Sequence, residues 1–194
     1  LSFSNIPIHE GTYVTNRYTV DTDNVDQKFY VNDVNGDTST LLVDVFNTAS
    51  STSSTTFTQA LDNTQVKANS DVYFLQESVD GKFEVYFGDG ITGKALSDGN
   101  IVRLRYVVTN KSAANGASSF TTSSTISGIT DVTTATVSAA SGGAEKESIQ
   151  SIKFNAPLDY AAQGRAVTVN DFKAIVPKVY ANAKSVQVYG GEDN

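Results

Sequence analysis

For most of this 194-residue chain, apolar side chains recur at every second position; toward the far end they recur at every third or fourth. The first spacing puts side chains on alternate faces of a strand, the second along one side of a helix. Residues 1–11 are irregular, with Pro7 and Gly11 as breakers. The β-branched and aromatic runs Thr12–Val20 and Gln27–Val31 predict two strands, and Asp21-Thr22-Asp23-Asn24 predicts a hairpin or meander connection between them. A second turn, Asn32–Asp37, holds Asn35-Gly36, the dipeptide that most readily takes positive φ at both central positions. Leu41–Phe46 alternates Leu41, Val43 and Val45 with Leu42, Asp44 and Phe46. Either Asp44 lies at an edge or the Leu41 face is the buried one, and the apolar trio favours the second.

Thr48–Thr56 is almost all Ser and Thr, which predicts a solvated loop or strand edge. Strand character resumes at Val66 and at Val72–Leu75, and Asp80-Gly81 joins the latter to Lys82–Phe87 as a hairpin. In Ile101–Val108, Val102, Leu104, Tyr106 and Val108 alternate with Ile101, Arg103, Arg105 and Val107, so one side is apolar. Lys111–Ala117 is a small-residue loop, and Ser118–Ser141 predicts one or two further Thr/Ser/Val strands. No period recurs that would signal a repeat architecture.

From Gly142 the spacing changes. Ile149, Ile152 and Ala156 predict a short helix, with Glu145 and Glu147 near its electropositive start and Pro157 closing its far end. Thr168-Val169-Asn170-Asp171 reads as a variant capping box opening a second helix, whose apolar stripe is Phe172, Ile175 and Val176 and whose stop is Pro177. Ser185–Tyr189 alternates again and predicts a strand. The expected fold class is therefore α+β: a mostly antiparallel β domain over 1–140, then a helix-helix-strand module over 141–194 with one face of each element hidden.

Composition narrows the chemistry. A chain of this length buries about 70% of its unfolded surface and needs no staple, and with no Cys it has neither disulfides nor thiol chemistry. It has no Met and starts at Leu1, so it is expected to be a fragment of a longer protein, ending in the polar, protease-prone Gly190–Asn194. Fourteen basic against twenty-one acidic residues give a net charge of −7 with no basic stripe to follow a phosphate backbone, so nucleic acid is not expected as a partner. No apolar run reaches the roughly 20 residues that cross a bilayer.

Candidate catalytic sets are thin. Gly88-Asp89-Gly90-Ile91-Thr92-Gly93-Lys94-Ala95 falls one residue short of a phosphate-binding loop: Ala95 lacks the hydroxyl that ligates Mg²⁺, Asp89 repels phosphate, and a turn, not a helix, follows. It reads as a Gly-rich loop between strands. His9 is the sole histidine and reads as a surface side chain. Asp21, Asp23 and Asp26, or Asp33 and Asp37, lack the spacing of a Ca²⁺ loop, so turn chemistry accounts for them and no metal or cofactor is expected. Glu77, Glu84 and Asp89 could converge for glycoside hydrolysis, but a chain without Trp lacks the broad aromatic platforms of sugar clefts. Nine Tyr and ten Phe fill β layers or anchor an interface, with Tyr160, Phe172 and Tyr180 as candidates in the helical module. Arg165, just before the capped helix, either pairs with Asp159, Asp171 or a carbonyl ending the first helix, or is solvated.

Two blocks of sequence carry a family resemblance. Gly142-Gly143-Ala144, Glu147-Ser148, Ala156-Pro157 and Arg165-Ala166-Val167-Thr168 followed by Asp171-Phe172 resemble the signature of the baseplate J-like proteins, wedge components of contractile phage tails. Phe87-Gly88-Asp89-Gly90 with Gly93 and Lys94 is similar to a second block of that family, in consistent order. The Ser/Thr-rich first part looks more like the larger wedge subunits of T-even-type phages than like the short members. The resemblance implies a structural, non-enzymatic role in the virion's tail baseplate, after assembly in the host cytoplasm. It implies a ring formed with copies of itself and other wedge proteins around a hub, with a homodimeric contact and no small-molecule substrate. Arg165, Thr168, Asp171 and Phe172 fall in its most regular motif. Two other classes remain open on the residues: a bacterial surface adhesion β-module, favoured by the Ser/Thr richness, and a carbohydrate-active enzyme.

Overall fold

The computed structural model describes residues 2–24, 27–123, 125–180, 183 and 185–190. They fall into two compact units, 1–110 and 111–194. The first is one sheet of seven strands: β1 Thr12–Thr19, β2 Phe29–Val31, β3 Gly36–Phe46, β4 Ser54–Gln59, β5 Val72–Glu77, β6 Phe83–Phe87 and β7 Ile101–Val108, in the order β1-β7-β3-β4-β5-β6-β2. Every neighbour pairing is antiparallel except the short β4–β5 ladder. With two helices in the second unit, the fold is α+β and mostly antiparallel.

The sheet closes its apolar face on itself. Val31, Val43, Val85, Val102 and Leu104 are fully buried, and Val20, Phe29, Leu41, Val45, Phe57, Tyr73 and Tyr106 complete the cluster. Three edge-on aromatic contacts, Tyr18–Phe29, Phe29–Phe87 and Phe57–Phe87, tie β1, β2, β6 and β4 together at 5.4–5.6 Å between centroids. Although β1 and β2 stand at opposite ends of the strand order, the Tyr18 hydroxyl donates to the Tyr30 carbonyl at 2.7 Å. The predicted β1–β2 hairpin therefore does not form: β1 pairs with β7 and β2 with β6.

The Leu41 face of β3 is buried as expected, yet Asp44 and Phe46 on its other face are buried too. Asn35-Gly36 makes no hairpin either, since β2 and β3 are not neighbours. Gly36 opens β3 where a Cβ would lie 2.6 Å from Val31 Cγ1, so its need is close approach, not positive φ. The Asp80-Gly81 hairpin joins β5 to β6, with Gly81 at φ 80°. Val66 lies outside the strands, and Ser118–Ser141 contributes only the isolated bridge Ile126–Ile129 among the described residues. That stretch has few large apolar positions, so pairing would hide little surface.

In the second unit α1 spans Ile149–Ala162 and α2 spans Val169–Val179. Both run through the prolines expected to stop them. Pro157 and Pro177 are exposed, as are Lys153 and Lys173 one turn earlier, so water can serve the carbonyls that each missing N–H leaves free. The real stop of α1 is Gln163 in the left-handed region, followed by Gly164 at φ 69°. Ser185–Tyr189 forms no strand, because no described strand in its unit offers a ladder to join. Upstream, Asn115 brackets Gly143, donating to its carbonyl at 2.7 Å and accepting from its N–H at 3.0 Å. A side chain at Gly143 would meet the Lys111 carbonyl at 2.1 Å.

Candidate assembly surfaces

The motif residues of the helical unit sit at the α1–α2 junction. Thr168 is the N-cap of α2: its hydroxyl accepts from Asp171 N–H at 3.3 Å, while Asp171 Oδ2 accepts from Thr168 N–H at 2.8 Å and Val167 N–H at 3.1 Å. The Thr168 amide is the largest influence holding the Asp171 carboxyl below its usual range, and the charge of Arg165 adds to it. Arg165 shares a shallow concavity with Leu158, Ala161, Val167, Thr168, Asn170 and Asp171. Asp159 pairs instead with Lys178 at 2.8 Å, which links the end of α1 to the end of α2.

The apolar side chains of these helices are not hidden. Only Ala162 and Ala174 are buried, whereas Ile149, Ile152, Phe154, Val169, Phe172 and Val179 are exposed, Tyr180 is too, and Tyr160 keeps 82% of its surface accessible. Leu158, Ile175 and Val176 are half-buried, so each helix covers only part of an apolar face within this unit. Glu145 and Glu147 lie near the start of α1 as expected, just before its N-cap Ser148, whose hydroxyl accepts from Ser151 N–H at 3.2 Å. Glu147 accepts from the Ser151 hydroxyl and from Asn155 at 3.1 Å.

The other candidate carboxylates serve local structure. Asp89 accepts from the Ile91 and Thr92 amides at 2.9 Å each, folding the Gly-rich loop. Lys94 pairs with Asp71 at 2.8 Å, and a Cβ on Gly88 would strike the backbone at Gly93. Glu84 is 2% exposed and accepts from Gln76 and Lys28; Gln76 leads in holding its carboxyl below the usual range. Its second oxygen lacks a hydrogen bond but lies 3.1 Å from Lys28 Nζ, so the ion pair satisfies it. A nearby cleft lined by Phe74, Tyr86, Phe87, Gly88, Asp89 and Thr92 holds one carboxylate. Among the described residues no helix is long and apolar enough to cross a membrane, and no acidic or histidine group is placed to hold a metal.

Sequence reasoning missed a charged cluster on the outward face of β1, β7, β3 and β4. Register sets Arg17 opposite Arg103, Arg103 opposite Asp44, and Asp44 opposite Thr56, in one row across four strands. Asp44 Oδ1 accepts from the Thr56 hydroxyl at 2.9 Å; Oδ2 accepts from Arg103 at 3.0 and 3.2 Å and from Arg105 at 2.8 Å. Burial works hardest against the ionised form of Asp44, but Thr56 and the two guanidiniums together outweigh it and hold the carboxyl below its usual range. Arg17 and Arg103 lie over the Phe46 ring at 5.3 and 4.7 Å. The polar half of Ile101–Val108 and the acidic break in Leu41–Phe46 were visible signals, but only the register joins them.

Residues 12–118 match the family described as bacteriophage baseplate wedge protein gp6, third domain. The chain belongs to this family. A curated relative, the baseplate wedge protein gp6 of Enterobacteria phage T4, is 26% identical over 145 residues, covering 63% of this chain and 22% of that protein. The chain thus spans about a fifth of the length of the relative it matches. The gp6 third-domain match takes in all seven strands and the Gly-rich block at Phe87–Lys94, and ends before the helical block at Gly142–Phe172.

Proposed function

We propose that this chain is a structural component of a contractile-tail baseplate wedge, assembling into a ring with copies of itself and other wedge proteins around the hub. The self-contact is a homodimer through the helical unit, and the chain runs no reaction. It acts in the tail baseplate of the virion after assembly in the host cytoplasm. The observation that carries this reading is the mismatch in the helical unit: both helices are properly capped, yet Ile149, Phe154, Tyr160, Val179 and Tyr180 lie exposed. Such a patch marks a surface meant for protein contact. Membership of a baseplate wedge family supplies the setting. Tyr160, Phe172 and Tyr180 are the proposed anchors, and Arg165, Thr168 and Asp171 hold the α1–α2 junction that displays them.

Light scattering with cross-linking on the purified chain tests the self-contact. A dimer is expected, converted to monomer by Phe154→Asp with Tyr160→Ser while helix content by circular dichroism is unchanged. A strictly monomeric chain at high concentration would remove the homodimer. Glycan hydrolysis that disappears in Glu84→Gln would overturn the structural reading altogether.

A further inference from the structure

The arginine row on the outward face of the β unit is built for something its own fold does not supply. Arg17 stands directly opposite Arg103 across the β1–β7 ladder, an arrangement that costs stability unless an anion compensates it. The available anion, Asp44, is 2% exposed and fully engaged by Thr56, Arg103 and Arg105, and Arg17 receives none of it. Among the described residues Arg17 has no carboxylate partner and rests on Phe46 alone. Arg105 has a buried Nε–H without an acceptor, while its side chain as a whole keeps 31% of its surface accessible. Three guanidiniums thus face one carboxylate. The next acid along this face, Asp37 opposite Val107, is occupied by the Ser39 amide and hydroxyl. Exposed Leu42, opposite Arg105, and exposed Tyr13, opposite Val107, give the patch apolar flanks.

We propose that this face of β1, β7 and β3 docks an extended acidic segment of another protein, its carboxylates meeting Arg17 and Arg105 and its apolar side chains lying on Leu42 and Tyr13. Guanidinium forks match carboxylates two bonds at a time. A long polyanion such as nucleic acid is disfavoured by the net charge of −7 that the whole chain carries, whereas a short peptide stays within about one Debye length of the arginines. The proposal extends the wedge reading by giving a partner's chemistry and its landing face. It concerns the β unit only, so its failure leaves the test of self-association untouched.

The probe is a fluorescein-labelled peptide alternating glutamate with leucine, followed by anisotropy against the full chain at low and high salt. Saturable binding is expected, weakened by salt and lost by about tenfold or more in Arg17→Glu. Arg17 is exposed and makes no bond to Asp44, and a glutamate there would face Arg103, so this variant should melt no lower than the wild type. Lys153→Glu on α1 makes the same change in net charge and should bind normally. The proposal is overturned by absence of peptide binding, by equal losses in the two variants, or by a short DNA duplex binding more tightly than the peptide.

Discussion

The two units satisfy their hydrophobic residues in opposite ways. In the β unit Val31, Val43, Val85, Val102 and Leu104 are sealed from water, with aromatic contacts drawing the ends of the sheet together. In the helical unit the caps are correct and the ends are defined, but its only buried helical side chains are the small Ala162 and Ala174. Local signals therefore suffice to shape α1 and α2 without giving them a core, and helices of this length draw most of their stability from packing. The comparison separates residues that hold the fold from residues that await a neighbour.

The sharpest contrast is a matched pair of truncations. Leu104→Ala, at a site with no exposure, should cost about 3 kcal/mol in urea unfolding followed by tryptophan-independent circular dichroism. Ile152→Ala, on exposed α1, should cost less than about 0.5 kcal/mol in the same experiment. Equal costs would erase the distinction between the units.

Asp44→Ala comes next and is comparable in size. It strands two arginines around a buried gap, and a loss of about 3 kcal/mol is expected from denaturant midpoints. The pH response has a defined sign. Because the folded-state pKa of Asp44 lies below its unfolded value, its contribution is complete above the unfolded pKa and disappears as pH falls through the folded one. Asp44→Asn should therefore flatten the acid limb of the stability curve while leaving its neutral limb parallel to wild type.

Thr168→Ala removes the hydroxyl that caps α2 and should cost about 1 kcal/mol of helix stability, read as reduced helical ellipticity with the sheet signal intact. Asp171 is also held below its usual pKa, so the cap should weaken as pH falls through that lowered value. The smallest effect belongs to Tyr160→Ser, which should leave the melting of a monomeric sample unchanged and register only where self-association is measured.

The same division governs how much could be read before the fold was known. Strands β5, β6 and β7 follow from alternation and turn residues, and the capping box from Thr168 and Asp171, because these are local patterns, whereas β4 begins inside the Ser/Thr run read as a solvated loop or strand edge. The hairpin expected between β1 and β2 failed because strand order depends on distant pairing, with β1 meeting β7 some ninety positions on. Prolines misled at Pro157 and Pro177 because an exposed carbonyl one turn back can turn to water. Arg103, Arg105 and Asp44 each stood out along their strands. Their union was invisible, since it depends on the antiparallel register of β3 against β7.

Hydrogen exchange on the isolated chain, resolved by peptide, bears most directly on the claim that the β unit is self-sufficient and the helical unit awaits a partner. Amides of β3 and β7 should exchange only through near-global unfolding, while those of α1 and α2 exchange orders of magnitude faster through local opening. Helices protected as strongly as β7 in a monomeric sample would contradict that claim.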